Sequence, residues 1–156
     1  MSVEIVPLNE PLVPYVKSLI AGYINSSSNG VNELDSTSKQ LEECEEILNR
    51  FLQNSKSYCY VAKFDQDYVG FIVLSWSFSI SKGHPVLRID ALYSSPKHRN
   101  TGVGRKLMQY AIDIAIENKA SRLQLETDDD NAPARNLYNN LGFKLIPGKG
   151  VYMAFL

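Results

Sequence analysis

Arg99-Asn100-Thr101-Gly102-Val103-Gly104-Arg105-Lys106-Leu107-Met108 is the stretch on which the reading of this chain turns. It follows a β-like run, Val86 to Tyr93, and opens an amphipathic helical run. Two glycines at such a junction let consecutive main-chain N–H groups face outward at a helix N-terminus. That arrangement is an anion cradle, suited to phosphate or diphosphate. Arg99, Arg105 and Lys106 crowd positive charge into the same stretch. The expectation is a binding place for a phosphorylated ligand.

The elements around it are legible by period. Val3 to Pro7 reads as a strand. Asn9 is placed to cap a helix running to about Ile24, whose Pro11 and Pro14 fit only near its first turn. Ser26-Ser27-Ser28-Asn29-Gly30 reads as a flexible loop. Ser36 to Ser55 is a second helix, with Leu41, Cys44, Ile47, Leu48, Phe51 and Leu52 on one face. Ser57 to Phe64 and Tyr68 to Phe78 are strands around an Asp65-Gln66-Asp67 turn. After Val86 to Tyr93 come a helix from Gly102 to Asn118, a strand from Arg122 to Thr127 and a helix from Asn131 to Asn140 closed by Gly142. Phe143 to Ile146 and Val151 to Leu156 read as a last strand pair. The sum is an α/β (α+β) chain with a mixed, mostly antiparallel twisted sheet of about seven strands and helices on both faces.

Size and charge exclude several classes. A length of 156 residues without a linker or repeat is read as one domain, 1–156. A net charge of −1 argues against a dedicated nucleic-acid binder. No stretch has the length of a membrane-spanning helix, and the N-terminus lacks a signal peptide's basic start and apolar core. Cys44 and Cys59 show no metal or redox spacing and read as buried thiols of a reducing compartment, so the expected location is the cytoplasm. His84 and His98 have no spaced partners, and no metal site is expected.

Three kinds of glycine loop bind phosphates. A P-loop ends in Gly-Lys-Ser/Thr, whereas Gly104 is followed by Arg105, Lys106 and Leu107. A dinucleotide fold needs a further glycine where Leu107 stands, and a tighter strand-to-helix turn than the gap from Tyr93 to Gly102. The third is Arg-x-x-Gly-x-Gly, met here by Arg99, Gly102 and Gly104. It is preceded by Leu92-Tyr93-Ser94-Ser95-Pro96 and followed by Asn131-x-x-Ala134-x-x-Leu137-Tyr138-x-x-Leu141-Gly142-Phe143. In these residues the last half of the chain resembles the GCN5-related N-acetyltransferases. Ser94 departs from the apolar residue usual in that family. The first half is similar only in element order.

The resemblance implies an acyl-CoA N-acyltransferase fold and acetyl-CoA as acetyl donor. It implies that main-chain N–H groups of Asn100, Thr101, Gly102, Val103, Gly104 and Arg105 cradle the diphosphate. Arg99, Arg105 and Lys106 either help with its charge or form an ordinary solvated basic turn. Leu92, Tyr93 and Ser94 would lie along the pantetheine arm, with an N–H near Leu92 polarising the thioester carbonyl. Asn131 and Arg135 would contact the donor from the last helix. The implied reaction is direct attack of a primary amine on the thioester. An amine with a pKa near 10.4 must first lose a proton, and the departing thiolate must gain one. Tyr138 matches the family's proton donor to sulfur. Asp90, two residues before Leu92, is expected on the same strand face and resembles an acidic position that binds or deprotonates the amine in polyamine-acetylating members. Glu126 is the second candidate. Each acid has an ordinary alternative as a salt-bridged surface group.

The runs Glu42-Glu43-x-Glu45-Glu46 and Asp128-Asp129-Asp130 would suit a cationic acceptor, though most such runs are solvated faces. The acceptor reads as a small polyamine-like molecule or a protein or peptide amine. A homodimer is common in the family. The competing function is a CoA-binding sensor or interaction module without turnover, against which the presence of Tyr138 argues.

Overall fold

The computed structural model describes residues 2–27, 32–128 and 131–156. Ser28-Asn29-Gly30 of the expected loop, and Asp129 and Asp130 of the acidic run, lie outside the described residues. The chain divides into two compact units, 1–126 and 127–156.

The first unit holds one sheet of β1 (Glu4–Pro7), β2 (Ser57–Phe64), β3 (Asp67–Ser79), β4 (His84–Ser94) and β5 (Arg122–Leu125), in that spatial order. The first three pairings are antiparallel and β4–β5 is parallel. The sheet is therefore mixed and mostly antiparallel, as expected, but among the described residues it has five strands rather than about seven.

Helices α1 (Val13–Ser26) and α2 (Ser38–Leu52) cover one face. Val13, Val16 and Leu19 of α1 and Leu48 of α2 share a buried cluster with Cys59, Val61, Phe71 and Tyr93. Asn25 and Gln40 exchange two side-chain hydrogen bonds between these helices, at 3.1 and 2.7 Å, so the buried amide of Asn25 is satisfied. Asn9 does not cap α1 through its side chain. A cap serves the second or third N–H of the helix. Pro11 has no N–H, and that of Leu12 goes to the Asn9 carbonyl at 3.0 Å in a 3-10 turn. Thr37 caps α2 by accepting from the Gln40 N–H at 3.1 Å.

Helix α3 (Val103–Glu117) covers the opposite face. Its buried residues are Val103, Leu107, Met108, Ala111 and Ala115, and Tyr110 packs on Tyr60 of β2 with ring centroids 4.8 Å apart. Gly70 of β3 permits this close approach. A Cβ there would stand 2.6 Å from the Tyr93 carbonyl oxygen and 3.0 Å from Val103 Cγ1.

The second unit contains α4 (Ala132–Asn140). Asn131 caps it, accepting from the Ala134 N–H at 3.4 Å. At its other end the Phe143 N–H reaches the Tyr138 carbonyl at 3.0 Å and the Gly142 N–H reaches Asn139 at 3.1 Å, with Gly142 at φ 89°. This is a Schellman stop, and the Tyr138 and Phe143 rings make the apolar contact that goes with it, 6.1 Å between centroids. The expected strand pair after it is not formed among the described residues. Phe143–Ile146 and Val151–Leu156 have strand-like side chains, but a strand exists only through a ladder, and these segments have none.

Gly70→Ala tests the packing of α3. We expect a loss of about 1–3 kcal/mol from overpacking, read as a lower urea midpoint with unchanged slope. An unchanged midpoint would mean α3 sits further from β3 than described.

Candidate active site

Strand β4 is eleven residues long and β5 only four. Their parallel pairing covers Val86–Ile89 against Arg122–Leu125 and then stops. Beyond it, Asp90–Ser94 has no β5 partner. The direction of its main-chain groups follows from one bond: the Ser95 N–H donates to Val69 of β3 at 2.8 Å. In an antiparallel ladder such groups alternate sides. Tyr93 and Ala91 therefore point to β3, opposite Phe71 and Val73. Leu92 and Ser94 turn their N–H and C=O to the open edge. An extended ligand can add to such an edge as an extra strand.

A β-bulge lies just before this edge. Ile89 is opposite Leu74 and Ala91 is opposite Val73, which leaves Asp90 as the extra residue. The expected shared face of Asp90 and Leu92 assumed unbroken alternation. The bulge breaks it: Leu92, opposite Ile72, shares a face with Ile89 instead. Asp90 joins a charged cluster. Arg88 Nε lies 3.9 Å from Asp90 Oδ1, and Arg88 Nη2 donates to Glu126 Oε1 at 3.1 Å. The two acids singled out in the sequence are thus brought together by a cation that reading missed. The available signal was an arginine two residues before Asp90 in a mainly apolar strand. Two carboxylates about one guanidinium leave the cluster one net negative charge.

After Ser94 the chain turns through Pro96–His98 and arrives at α3. Thr101 donates its hydroxyl to the His98 carbonyl. Asn100 and Gly102 are left-handed, at φ 62° and 91°. Asparagine tolerates that conformation and glycine adopts it freely. The first N–H groups of an α-helix have no partner inside it, so the turn leads into a helix start with free donors. Arg105 and Lys106 are exposed and form no ion pair among the described residues. His98 is half-buried against Phe64, and its Nδ1 is buried without a hydrogen bond.

Arg99 is already engaged. Its Nη2 donates to Glu33 Oε2 at 2.6 Å, its Nε to the Ser94 carbonyl at 3.3 Å, and its guanidinium lies 5.6 Å from the Tyr93 ring centre. The Tyr93 hydroxyl donates to the same Glu33 oxygen at 3.1 Å. Burial first, and then the Glu33 charge and hydrogen bond, push the Tyr93 phenol up to about 12, with Arg99 pulling the other way. Glu33 carries no sequence signal, since its partner Arg99 is 66 residues away.

Tyr138 is half-buried in α4, and Asn131 and Arg135 are exposed there. Cys44 and Cys59 are free and buried, and burial pushes the Cys59 thiol up to about 12, which removes it as a nucleophile near neutrality. Among the described residues no three His, Cys, Asp or Glu side chains could hold a metal ion. No described helix is long and apolar enough to cross a membrane.

The profile of the Acetyltransferase (GNAT) family matches residues 28–143, and the chain belongs to that family. It is 29% identical over 116 residues to the uncharacterized N-acetyltransferase YhfO of Bacillus subtilis, covering 74% of this chain and 78% of that one. It is 39% identical over 79 residues to the streptothricin acetyltransferase of Streptomyces lavendulae, covering 51% of this chain but only 40% of that protein's length. The fold matches AAC(6')-Iy in complex with the bisubstrate analogue CoA-S-monomethyl-acetylneamine, with a TM-score of 0.73, 18% identity and full coverage of both chains.

The Tyr93 cluster makes stability depend on pH. The folded state holds the Tyr93 proton up to about pH 12, whereas an unfolded tyrosine loses it near pH 10. Folding therefore loses stability as pH rises from about 10 toward 12. Tyr93→Phe should cost about 0.5–1.5 kcal/mol at neutral pH, the worth of a hydrogen bond. Its deficit against wild type should shrink through that window, because Cys59 acts alike in both. A deficit that stays constant to pH 12 would contradict a raised Tyr93 phenol.

Proposed function

We propose that this chain transfers the acetyl group of acetyl-CoA directly to a primary amine. The observation that carries the reading is one continuous run, Leu92 to Arg105. It offers an unpaired β-edge and then a left-handed turn into a helix N-terminus. An extended pantetheine arm fits the edge and a diphosphate fits the turn. Leu92 and Ser94 would hold the arm through main-chain bonds. Donors from Asn100 to Arg105 would hold the diphosphate, with the α3 dipole adding roughly 0.3–1 kcal/mol and Arg105 and Lys106 adding charge. The donor supplies an activated thioester; the chain supplies position and polarity. The N–H of Leu92 would polarise the carbonyl, and the Tyr138 hydroxyl would protonate the departing sulfur. Asn131 and Arg135 would add contacts from α4.

For the acceptor, the Arg88–Asp90–Glu126 cluster is the place where an ammonium group would be favoured. The residual negative charge attracts a cation, and Asp90 or Glu126 would take its proton. The acceptor is a small polyamine-like molecule or a protein or peptide amine: the streptothricin acetyltransferase relative supports the first, and a relative named N-alpha-acetyltransferase, from Sulfurisphaera tokodaii, supports the second. We take 1–156 as one catalytic domain, cytoplasmic, working alone or as a homodimer.

Calorimetry with CoA and an amine panel followed by thiol release test the reading. Wild type should bind CoA and release thiol with at least one cationic amine. Binding with no release for any amine would favour the sensor reading, and no binding would end the proposal. Tyr138→Phe should lower kcat by roughly 10²-fold or more, the scale of a general acid, with CoA affinity within about threefold. Unchanged turnover across pH would remove Tyr138 from catalysis. Asp90→Asn and Glu126→Gln should each raise the amine KM several-fold at low salt, and less at high salt. If neither moves KM or kcat, both acids are scaffold.

A further inference from the structure

The Glu33–Arg99 pair is the tightest of the ion pairs described, at 2.6 Å, and Glu33 is the more buried partner, with its side chain 20% exposed. Arg99 offers a guanidinium with five donors. Its Nε–Nη2 edge is taken by Ser94 and Glu33. That is one of the two edges through which arginine grips a phosphate bidentately. Its charge is balanced by Glu33, and its face rests over Tyr93. Arg105 and Lys106, by contrast, stand exposed at the start of α3 with no carboxylate on them among the described residues. Glu33 belongs to the connection between α1 and α2, in a turn where the Leu34 N–H reaches Asn32 Oδ1 at 2.9 Å and the Asp35 N–H reaches the Asn32 carbonyl at 3.1 Å.

We propose that Glu33 is a positioning residue that recruits Arg99 into a brace over Tyr93, so that Arg99 fastens the α1–α2 connection to the end of β4 instead of holding the donor's diphosphate. The brace joins three segments that nothing local would join: the turn at Glu33, the strand end at Tyr93 and Ser94, and the loop at Arg99. The Ser94 carbonyl has two lone pairs, so the bond from Arg99 leaves one for the donor on the open edge. The part of the proposal that concerns the diphosphate rests on the acetyl-CoA reading; the brace itself does not.

Four variants of the full chain test it: Glu33→Gln, Arg99→Gln, the charge swap Glu33→Arg with Arg99→Glu, and Arg105→Gln. Hydrogen exchange at the Leu34 and Asp35 amides should quicken at least about fivefold in the first two and return toward wild type in the swap. The alkaline titration of Tyr93, isolated by subtracting the Tyr93→Phe spectrum, should move down in Glu33→Gln and up in Arg99→Gln. General loosening would move both the same way. Arg99→Gln should keep the CoA Kd within about threefold, whereas Arg105→Gln should weaken it about tenfold or more. Unchanged exchange in both single variants, Tyr93 shifts of one sign, or a tenfold loss of CoA affinity in Arg99→Gln would each overturn the proposal. Failure of wild type to bind CoA would count against the acetyl-transfer reading alone, because the exchange and titration still decide the brace.

Discussion

Two neighbouring strands of unequal length impose the constraint on which the site depends. Helix α3 packs against Gly70, which fixes where the chain leaves the sheet and where it returns as β5. The return strand is short, and it pairs with β4 over four residues only. On its other edge β4 is held by β3 along nearly its full length. The outward main-chain groups of Leu92 and Ser94 are therefore rigid without a strand partner, and among the described residues only the Ser94 carbonyl has another bond, from Arg99 Nε. A peptide group left without a partner in a dry place costs about as much as a lost hydrogen bond, so this edge must face water or a ligand. A site of this kind needs few special side chains, because the backbone carries the recognition.

The charges are arranged along that edge with opposite signs at its two ends. The bulge residue Asp90, with Glu126 around Arg88, lies at the end where β5 stops. Arg105 and Lys106 lie past the other end, at the start of α3. Four strand steps separate Asp90 from Ser94, about 13 Å at 3.3 Å per residue. The screening length at physiological salt is about 8 Å. The two ends are thus largely independent electrically. A polyanionic tail and a cationic partner can be drawn to one strand without cancelling one another. The Glu33–Arg99 pair, held at Ser94 and Tyr93, is a neutral unit and adds no net charge to the edge.

What was legible in the sequence was what is local. Helix period placed α2 to within three residues and α3 to within one, and the Asp65–Asp67 turn fixed the β2–β3 hairpin. The glycine loop marked a strand-to-helix turn, and Gly102 there takes φ 91°, a conformation open to glycine as a property of the residue itself. What was not legible depends on pairing across distance. The bulge at Asp90 is set by the register of β4 against β3, and alternation read along β4 alone could not show it. The last two apolar runs look like strands in composition, but whether a ladder forms is decided by a partner, not by the run. Arg88 and Glu33 were missed for the same reason: their meaning lies in residues 38 and 66 positions away.

Helix α4 shows how a short helix is secured at both ends. At nine residues it is shorter than an isolated helix that would persist in water. Its ends must therefore be secured, by the Asn131 cap at the start and the Schellman stop at Gly142. That stop sets Tyr138 at the position whose carbonyl receives the Phe143 N–H, and the two rings close the motif. The ring of Tyr138 is thereby bound to the folding of the helix end, while the ring–ring contact makes no use of the hydroxyl. A phenylalanine at this position would keep the ring contact and the stop. The hydroxyl is the part of the side chain that the helix stop itself does not require.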